Sequence, residues 1–354
     1  MSRVLFILKR RLDYNAIAHS HIGMSTGLYN SANFMNEMLN EHGVDSDLFV
    51  AVDNNCIDRE VTRFKPTHVI IEALWVVPTK FAILSKLHPD VTWVIRIHSE
   101  MPFMAGEGSA MDWIGDYSSF KNIIISCNAP RMLKEISTFL RVRNNWTEEE
   151  TARRVVYLPN YYPQEYKQPK LINHNKDWID IGCFGAIRPL KNHLLQAHAA
   201  LEFCQRIGKQ LRFHVNAGRI EMQGQPAINN LKGMFEQLYD SGARMINHQW
   251  RPREEFLELC KEMDIGMQCN FSETFNIVGA DLISQGIPIV GSYIEIPWAP
   301  KYYCADANNS MDIADKLELA YNNPELNVRA HQHLLSEYTT ETSKIWHKYF
   351  TQEN

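Results

Sequence analysis

The stretch Ser272-Glu273-Thr274-Phe275-Asn276-Ile277-Val278-Gly279-Ala280-Asp281, running on through Leu282-Ile283-Ser284-Gln285-Gly286 to Ile287-Pro288-Ile289-Val290, decides the fold. It follows one short apolar run, Ile265–Gln268, reads as a helix, and closes in a Gly-x-Pro turn into another run. A helix opening near Asn276 presents unpaired amide donors with partial positive charge, which suits a phosphate. Asp281 then lies about 6–8 Å further along the axis at 1.5 Å per residue, roughly the reach from a diphosphate to ribose hydroxyls. Glu273, just ahead of the helix, is placed for hydroxyls of a group beyond the phosphates. Both acids would also complement the helix dipole.

Working outward, short β-type runs alternate with helical stretches over the whole chain, the pattern of wound α/β layers. In the first half the runs are Arg3–Leu8, Ser46–Val52, His68–Glu72, Thr92–Ile97, Asn122–Ser126 and Val155–Leu158. The second half has Asp177–Phe184, Leu211–Ala217, Met245–His248, Ile265–Gln268 and Pro288–Gly291. Pro159, Pro163 and Pro169 punctuate a connection between Arg153 and Lys170. Two Rossmann-like doubly wound domains are expected, 1–160 and 161–334. A tail carrying Leu334, Leu335, Tyr338, Ile345, Trp346 and Tyr349 at helical spacing is expected to return to the first domain over 335–354. Thr26 to Glu41 reads as a core-facing helix, and Met101 to Gly115 as a mobile loop.

Composition narrows the class. With 354 residues, 45% hydrophobic and 22% charged, the chain can fill two cores and carries no disorder signature. Its seven cysteines are scattered, with no Cys-x-x-Cys pair, so a reduced, cytoplasmic protein is expected rather than a disulfide framework. Val4–Leu8 is too short to direct secretion, and Glu72 interrupts Val69–Val77, so no integral membrane segment is expected. The net charge of −5 advertises no polyanion partner. Arg10, Arg11, Arg141, Arg143, Arg153 and Arg154 nevertheless form local basic clusters.

A second constellation accompanies the first: Gly182-Cys183-Phe184-Gly185-Ala186-Ile187-Arg188-Pro189-Leu190-Lys191-Asn192-His193, at the exit of the first strand of the same half. A glycine turn there lets the backbone approach a ligand, and Arg188 and Lys191 bring two cations to the same strand ends. Side chains plus a helix end then neutralise a diphosphate. No Asp-x-Asp metal motif is picked out along the chain, and no metal or other cofactor is expected.

With these residues the sequence resembles the large family of retaining, metal-independent glycosyltransferases of GT-B fold, which includes bacterial sugar transferases and sucrose- and glycogen-type synthases. The likeness runs along nearly the whole chain. Gly23-Met-Ser-Thr-Gly27 resembles its donor-phosphate loop, and Gly43-Val-Asp-Ser-Asp47 the start of its next strand. His98 in Arg96-Ile-His98 is similar to its histidine after a central strand. Ser126-Cys-Asn-Ala129 and Leu158-Pro-Asn160 are weaker signposts. The resemblance implies that Arg188 and Lys191 hold the diphosphate, Glu273 the donor sugar and Asp281 the ribose. It further implies that His98 serves the donor sugar or reacting centre, that Gly23 lets the loop close on phosphate, and that Thr274, Phe275, Asn276 and Ile277 complete the donor site. Asn276 stands where the family has glycine, and Asp281 where it has a second glutamate.

The expected reaction moves a sugar from a nucleotide diphosphate to a hydroxyl with retention, through front-face attack that demands no protein nucleophile. A non-hydrolysing sugar-nucleotide epimerase and a catalytically silent nucleotide-sugar-binding protein are the alternatives. The acceptor is expected to be a saccharide or a hydroxylated base in DNA, the latter because of the basic clusters. His21, Glu100 and Glu107 are acceptor-side candidates, and Trp250 is a candidate to pack against the nucleotide base. Nothing in the sequence reports the oligomeric state.

Overall fold

The computed structural model describes residues 2–10, 26–293 and 296–351. Gly23 and His21 lie outside the described residues. The chain divides into two compact units, Met1–Pro163 with Thr339–Asn354, and Gln164–Tyr338.

The first unit is a six-stranded sheet in the order β2-β1-β3-β4-β5-β6. Its strands are β1 (Arg3–Lys9), β2 (Asp45–Ala51), β3 (His68–Glu72), β4 (Thr92–Ile97), β5 (Ile123–Cys127) and β6 (Val155–Tyr157). Every pairing is parallel. Strand β3 is buried at all of its positions, as expected of a central parallel strand with helices on both faces. One face packs Ile71, Trp93, Ile95 and Ile125 against helices that carry Phe81, Ile114 and Ile136. The other packs Phe6, Ile70 and Val94 against Met35 and Met38, and against Trp346 and Phe350 of the C-terminal helix.

The second unit repeats the plan in the order β12-β11-β10-β7-β8-β9. The strands are β7 (Trp178–Gly182), β8 (Gln210–Val215), β9 (Arg244–Asn247), β10 (Ile265–Gln268), β11 (Ile289–Ser292) and β12 (Cys304–Ala305), again all parallel. The short β12 has no counterpart among the sequence expectations. Ile179, Ile181, Phe213, Met267 and Val290 fill the core with Phe203, Leu231 and Leu317 from the helices. Strand order reverses between β7 and β10, which pair through Ile181 with Ile265 and Gly182 with Gly266. In open parallel sheets a ligand crevice forms at such a reversal, at the carboxyl ends of the strands. The Arg188 and Glu273 segments leave these two strands.

The helix over Thr26–Glu41 forms as expected. Met101–Gly115 is not a loop: Met101–Met104 makes a helical turn opened by Pro102, and Ala110–Tyr117 a helix burying Ala110, Ile114 and Tyr117. Gly106 and Gly108 mask this in the sequence, because they occupy only the short link. The C-terminal helix runs from Pro324 to Thr351, beginning in the second unit and ending in the first. Among the described residues no helix is long and apolar enough to cross a membrane, and all seven cysteines are free.

Candidate active site

The site in the second unit is built from two loops knitted together. Leaving β7, the chain passes through Gly185 at φ +122°, a conformation that side chains disfavour, and a Cβ there would lie 3.6 Å from the Lys191 Cε. A single tight turn, Pro189–Lys191, follows, then Asn192 at φ 55°. Asn192 ties this loop to the neighbouring strand, donating to the carbonyls of Cys269 (3.0 Å) and Ala307 (2.8 Å). Gln196 bridges them again, donating to the Lys191 carbonyl (2.8 Å) and accepting from the Cys269 N–H (2.9 Å). The Phe271 N–H donates to the Leu190 carbonyl at 2.9 Å. Arg188 and Lys191 are thereby fixed against the loop that carries Glu273.

Lys191 Nζ forms an ion pair with Glu273 Oε1, and Asn270 donates to the same oxygen at 3.0 Å. Burial lowers the Lys191 pKa, Glu273 opposes this, and the charge of Arg188 adds to the lowering. Asn276 caps the helix Ile277–Ser284 at φ 64° and ψ 74°, with its side-chain oxygen accepting from the Gly279 N–H at 2.8 Å. Its amide donates to Gln268 at 3.0 Å. Asparagine is among the few non-glycine residues that enter the left-handed region readily, so it meets the backbone demand that glycine would meet and supplies a cap as well. The cap takes the third amide of the helix, and Ile277 and Val278 carry the two amides ahead of it in the first turn.

Thr274 and Phe275 are buried. The Phe275 carbonyl accepts from the Trp298 indole at 2.8 Å, which fixes the backbone just before the cap. Asp281 is buried and ion-paired with Arg253, a partner that the sequence reading missed. Arg188 lies 3.6 Å from Glu221, also missed, which pairs more closely with Arg219. Trp250 lies under the Arg219 guanidinium, 5.1 Å from charge to ring centre. His193 is buried, and burial with the charges of Lys191 and Arg188 pushes its pKa down to about 3.

In the first unit, the motifs Arg96-Ile-His98, Asn128 and Asn160 converge on one buried network. Arg96 donates to both Glu72 oxygens (3.1 and 3.2 Å) and to Asn160. His98 Nε2 lies 2.5 Å from Glu72 Oε2, and Asn128 donates to Asn160 at 3.3 Å. Burial alone would raise the Glu72 carboxyl, but Arg96 and His98 hold it below its usual value. Burial lowers the His98 pKa against the opposing pull of Glu72. The contact with Glu72 places the ring proton on Nε2 and leaves Nδ1 as the acceptor. Glu72 entered the sequence reading only as the charge that interrupts Val69–Val77.

Two of the acceptor-side candidates, Glu100 and Glu107, lie among the described residues. Glu100 is buried in an ion pair with Arg131, and Glu107 is exposed. Three of the clustered arginines are engaged within the chain: Arg141 pairs with Glu148 (3.2 Å), Arg143 with Asp116 (3.5 Å), and Arg154 donates to the carbonyls of Ser118 and Phe120. One Asp-x-Asp triplet does occur, Asp45-Ser46-Asp47. It begins β2, at the opposite end of the strand from a ligand crevice, and its acids pair with Arg3 (2.6 Å) and Arg63 (3.5 Å).

Two parallel six-stranded Rossmann-like units with a shared terminal helix decide the comparison with solved structures. The chain has the GT-B fold. It superposes on a UDP-forming α,α-trehalose-phosphate synthase from Burkholderia xenovorans with a TM-score of 0.67 at 12% identity, over 99% of this chain and 98% of that one. A sucrose-phosphate synthase from Thermosynechococcus elongatus gives 0.66 at 12% identity, over 99% and 98%. TarM of S. aureus gives 0.57 at 14% identity, over 80% of this chain and 55% of that one. No family model and no curated protein matches the sequence. At such identities the shared property is the GT-B fold.

Proposed function

We propose that the protein is a glycosyltransferase that moves a sugar from a nucleoside diphosphate to an acceptor hydroxyl, with retention and without a metal. The observation that carries this reading is the joining of Lys191, Glu273 and the asparagine-capped helix at the β7–β10 reversal, beside Arg188. Cations and helix amides then stabilise charge where a diphosphate leaves, the interaction that contributes most to transfer chemistry of this kind. Glu273 accepts hydroxyl hydrogens of the donor sugar. In the step, the bond from the anomeric carbon to the diphosphate oxygen breaks as the acceptor oxygen bonds to the same face. The acceptor proton passes to the departing phosphate. Arg188, Lys191 and the amides of Ile277 and Val278 bind the resulting charge, and Asp281 serves the ribose. His98, held in one tautomer by Glu72, serves the donor sugar.

A saccharide is the acceptor class to try first. The matched structures include synthases named for trehalose phosphate and sucrose phosphate, and the engaged arginines give a DNA acceptor no comparable support. UDP-sugars are the first donors to try, since one matched enzyme is named as UDP-forming. The test offers UDP-, ADP- and GDP-sugars with mixed saccharide acceptors, reads products by mass spectrometry, and assigns the anomer by NMR. Transfer with retention that is lost in folded R188A and E273A is the expected result. An epimerised sugar nucleotide without acceptor, or binding without transfer to any acceptor, overturns the reading.

A further inference from the structure

Glu221 stands between two arginines on a loop whose backbone is locked to the anion-binding segment. The Ile187 N–H donates to the Arg219 carbonyl and the Glu221 N–H to the Ile187 carbonyl, both at 2.9 Å, so that residues 219–221 run beside Ile187 as a short parallel bridge. Met222 (φ 44°) and Gln223 (φ 61°) then take consecutive left-handed conformations, and Gly224 packs so tightly that a Cβ would lie 2.1 Å from the Ile187 carbonyl oxygen. Strained backbone of this kind persists where surrounding structure enforces it. Here the enforced result is the placement of the Glu221 carboxylate. One oxygen is closely bound by Arg219, which rests on Trp250, while the other stands 3.6 Å from Arg188 Nη1. The first contact is an anchor. The second is an ion pair that a better anionic ligand can displace, because a guanidinium that binds carboxylate binds phosphate with the same fork of donors.

We propose that Glu221 is an internal counterion for Arg188, holding it in the empty site and competing with the donor diphosphate for it. This rests on the reading of Arg188 as a diphosphate ligand. When the donor binds, Arg188 exchanges the carboxylate for phosphate oxygens. When the nucleoside diphosphate leaves, Glu221 takes the arginine back. Glu221 therefore weakens binding of donor and product alike, and it sets how fast the product departs. It is a positioning residue and touches no reacting atom.

The experiment measures binding of UDP, ADP and GDP to the full chain by titration calorimetry, with steady-state kinetics on the preferred donor. E221Q keeps the size of the side chain and removes the competing charge. It is expected to bind the nucleoside diphosphate about ten-fold tighter, with product inhibition strengthened to match and both KM and kcat lowered. Glu221→Asp, which retains the charge, returns toward wild type, and in an R188A background E221Q brings no tightening. A purely structural role would weaken binding instead. Unchanged or weaker binding in folded E221Q overturns the proposal while leaving the donor site intact. If E221Q does not fold, Glu221→Ala with Arg219→Met removes the outer pair together and carries the same expectation. Wild type that binds none of the three diphosphates overturns the donor-site reading, and with it this one.

Discussion

Lys191 Nζ and Glu273 Oε1 form an ion pair between the loops that follow β7 and β10, the two strands where the order of the second sheet reverses. The pair is mostly buried, so its charges are coupled more strongly than surface charges are. It joins the loops and holds a cation and an acid side by side where, on the proposed function, the donor binds.

Removing one member exposes this double role. Lys191→Met or Glu273→Leu alone leaves a buried charge unpaired and should cost about 3–5 kcal/mol, read in urea unfolding. The double variant Lys191→Met/Glu273→Leu should regain most of that stability. It should still fail to bind a nucleoside diphosphate, so a double variant that is stable and active would show that neither residue belongs to the site.

Asn276 tests the cap. Asn276→Ala loses the hydrogen bond to Gly279 and forces a Cβ-bearing residue with no side-chain acceptor into φ 64°. A loss of about 1–3 kcal/mol is expected in chemical denaturation. Asn276→Gly loses the bond but relieves the backbone, so its loss should be a few tenths of a kcal/mol to about 1 kcal/mol. Equal losses in the two variants would contradict the assigned conformation.

Acid should destabilise the fold early. Burial pushes His193 down to about 3 and His331 down to about 4 from an ordinary value of 6.5. The folded state therefore keeps these rings neutral while the unfolded state protonates them. Their contribution is fully present above pH 6.5 and is lost as pH falls through the folded values. Melting temperature should drop steadily from pH 6.5 toward pH 4. His193→Leu should flatten that slope, and an unaltered slope would contradict the burial of a neutral ring.

Gly224→Ala places a methyl group 2.1 Å from the Ile187 carbonyl oxygen unless one loop moves. The expected outcome is a loss of about 1–3 kcal/mol together with weaker nucleoside diphosphate binding, because Arg188 follows Ile187 directly. Calorimetry on the folded variant checks it. Loss of stability with unchanged binding would show that the Glu221 loop can shift without moving Arg188.

Legibility in the sequence followed distance along the chain. Arg188, Lys191, Glu273 and Asn276 were readable because each stands at a short, fixed offset from an apolar run that must be a strand. The run His68–Glu72 and the helix Thr26–Glu41 were readable from their apolar spacing alone. Glu72, Glu221 and Arg253 were not. Each is a counterion supplied by a different strand end, loop or helix, Arg253 standing 28 residues before its partner Asp281, and no periodicity links such pairs. Glu100 shows the converse: an acid in an apparently open segment is buried against Arg131 once Met101–Met104 folds as a helical turn.

The helix Pro324–Thr351 has a consequence for the order in which the protein can be made. Trp346 and Phe350 belong to the same apolar cluster as Phe6 and Val4, so the first unit draws part of its core from residues that follow the whole second unit in sequence. Domains generally fold as they emerge during synthesis. Here the second unit is complete in sequence before the first one is. The amino-terminal sheet must wait, with the face formed by Phe6, Ile70 and Val94 only partly covered, until Trp346 and Phe350 have left the ribosome.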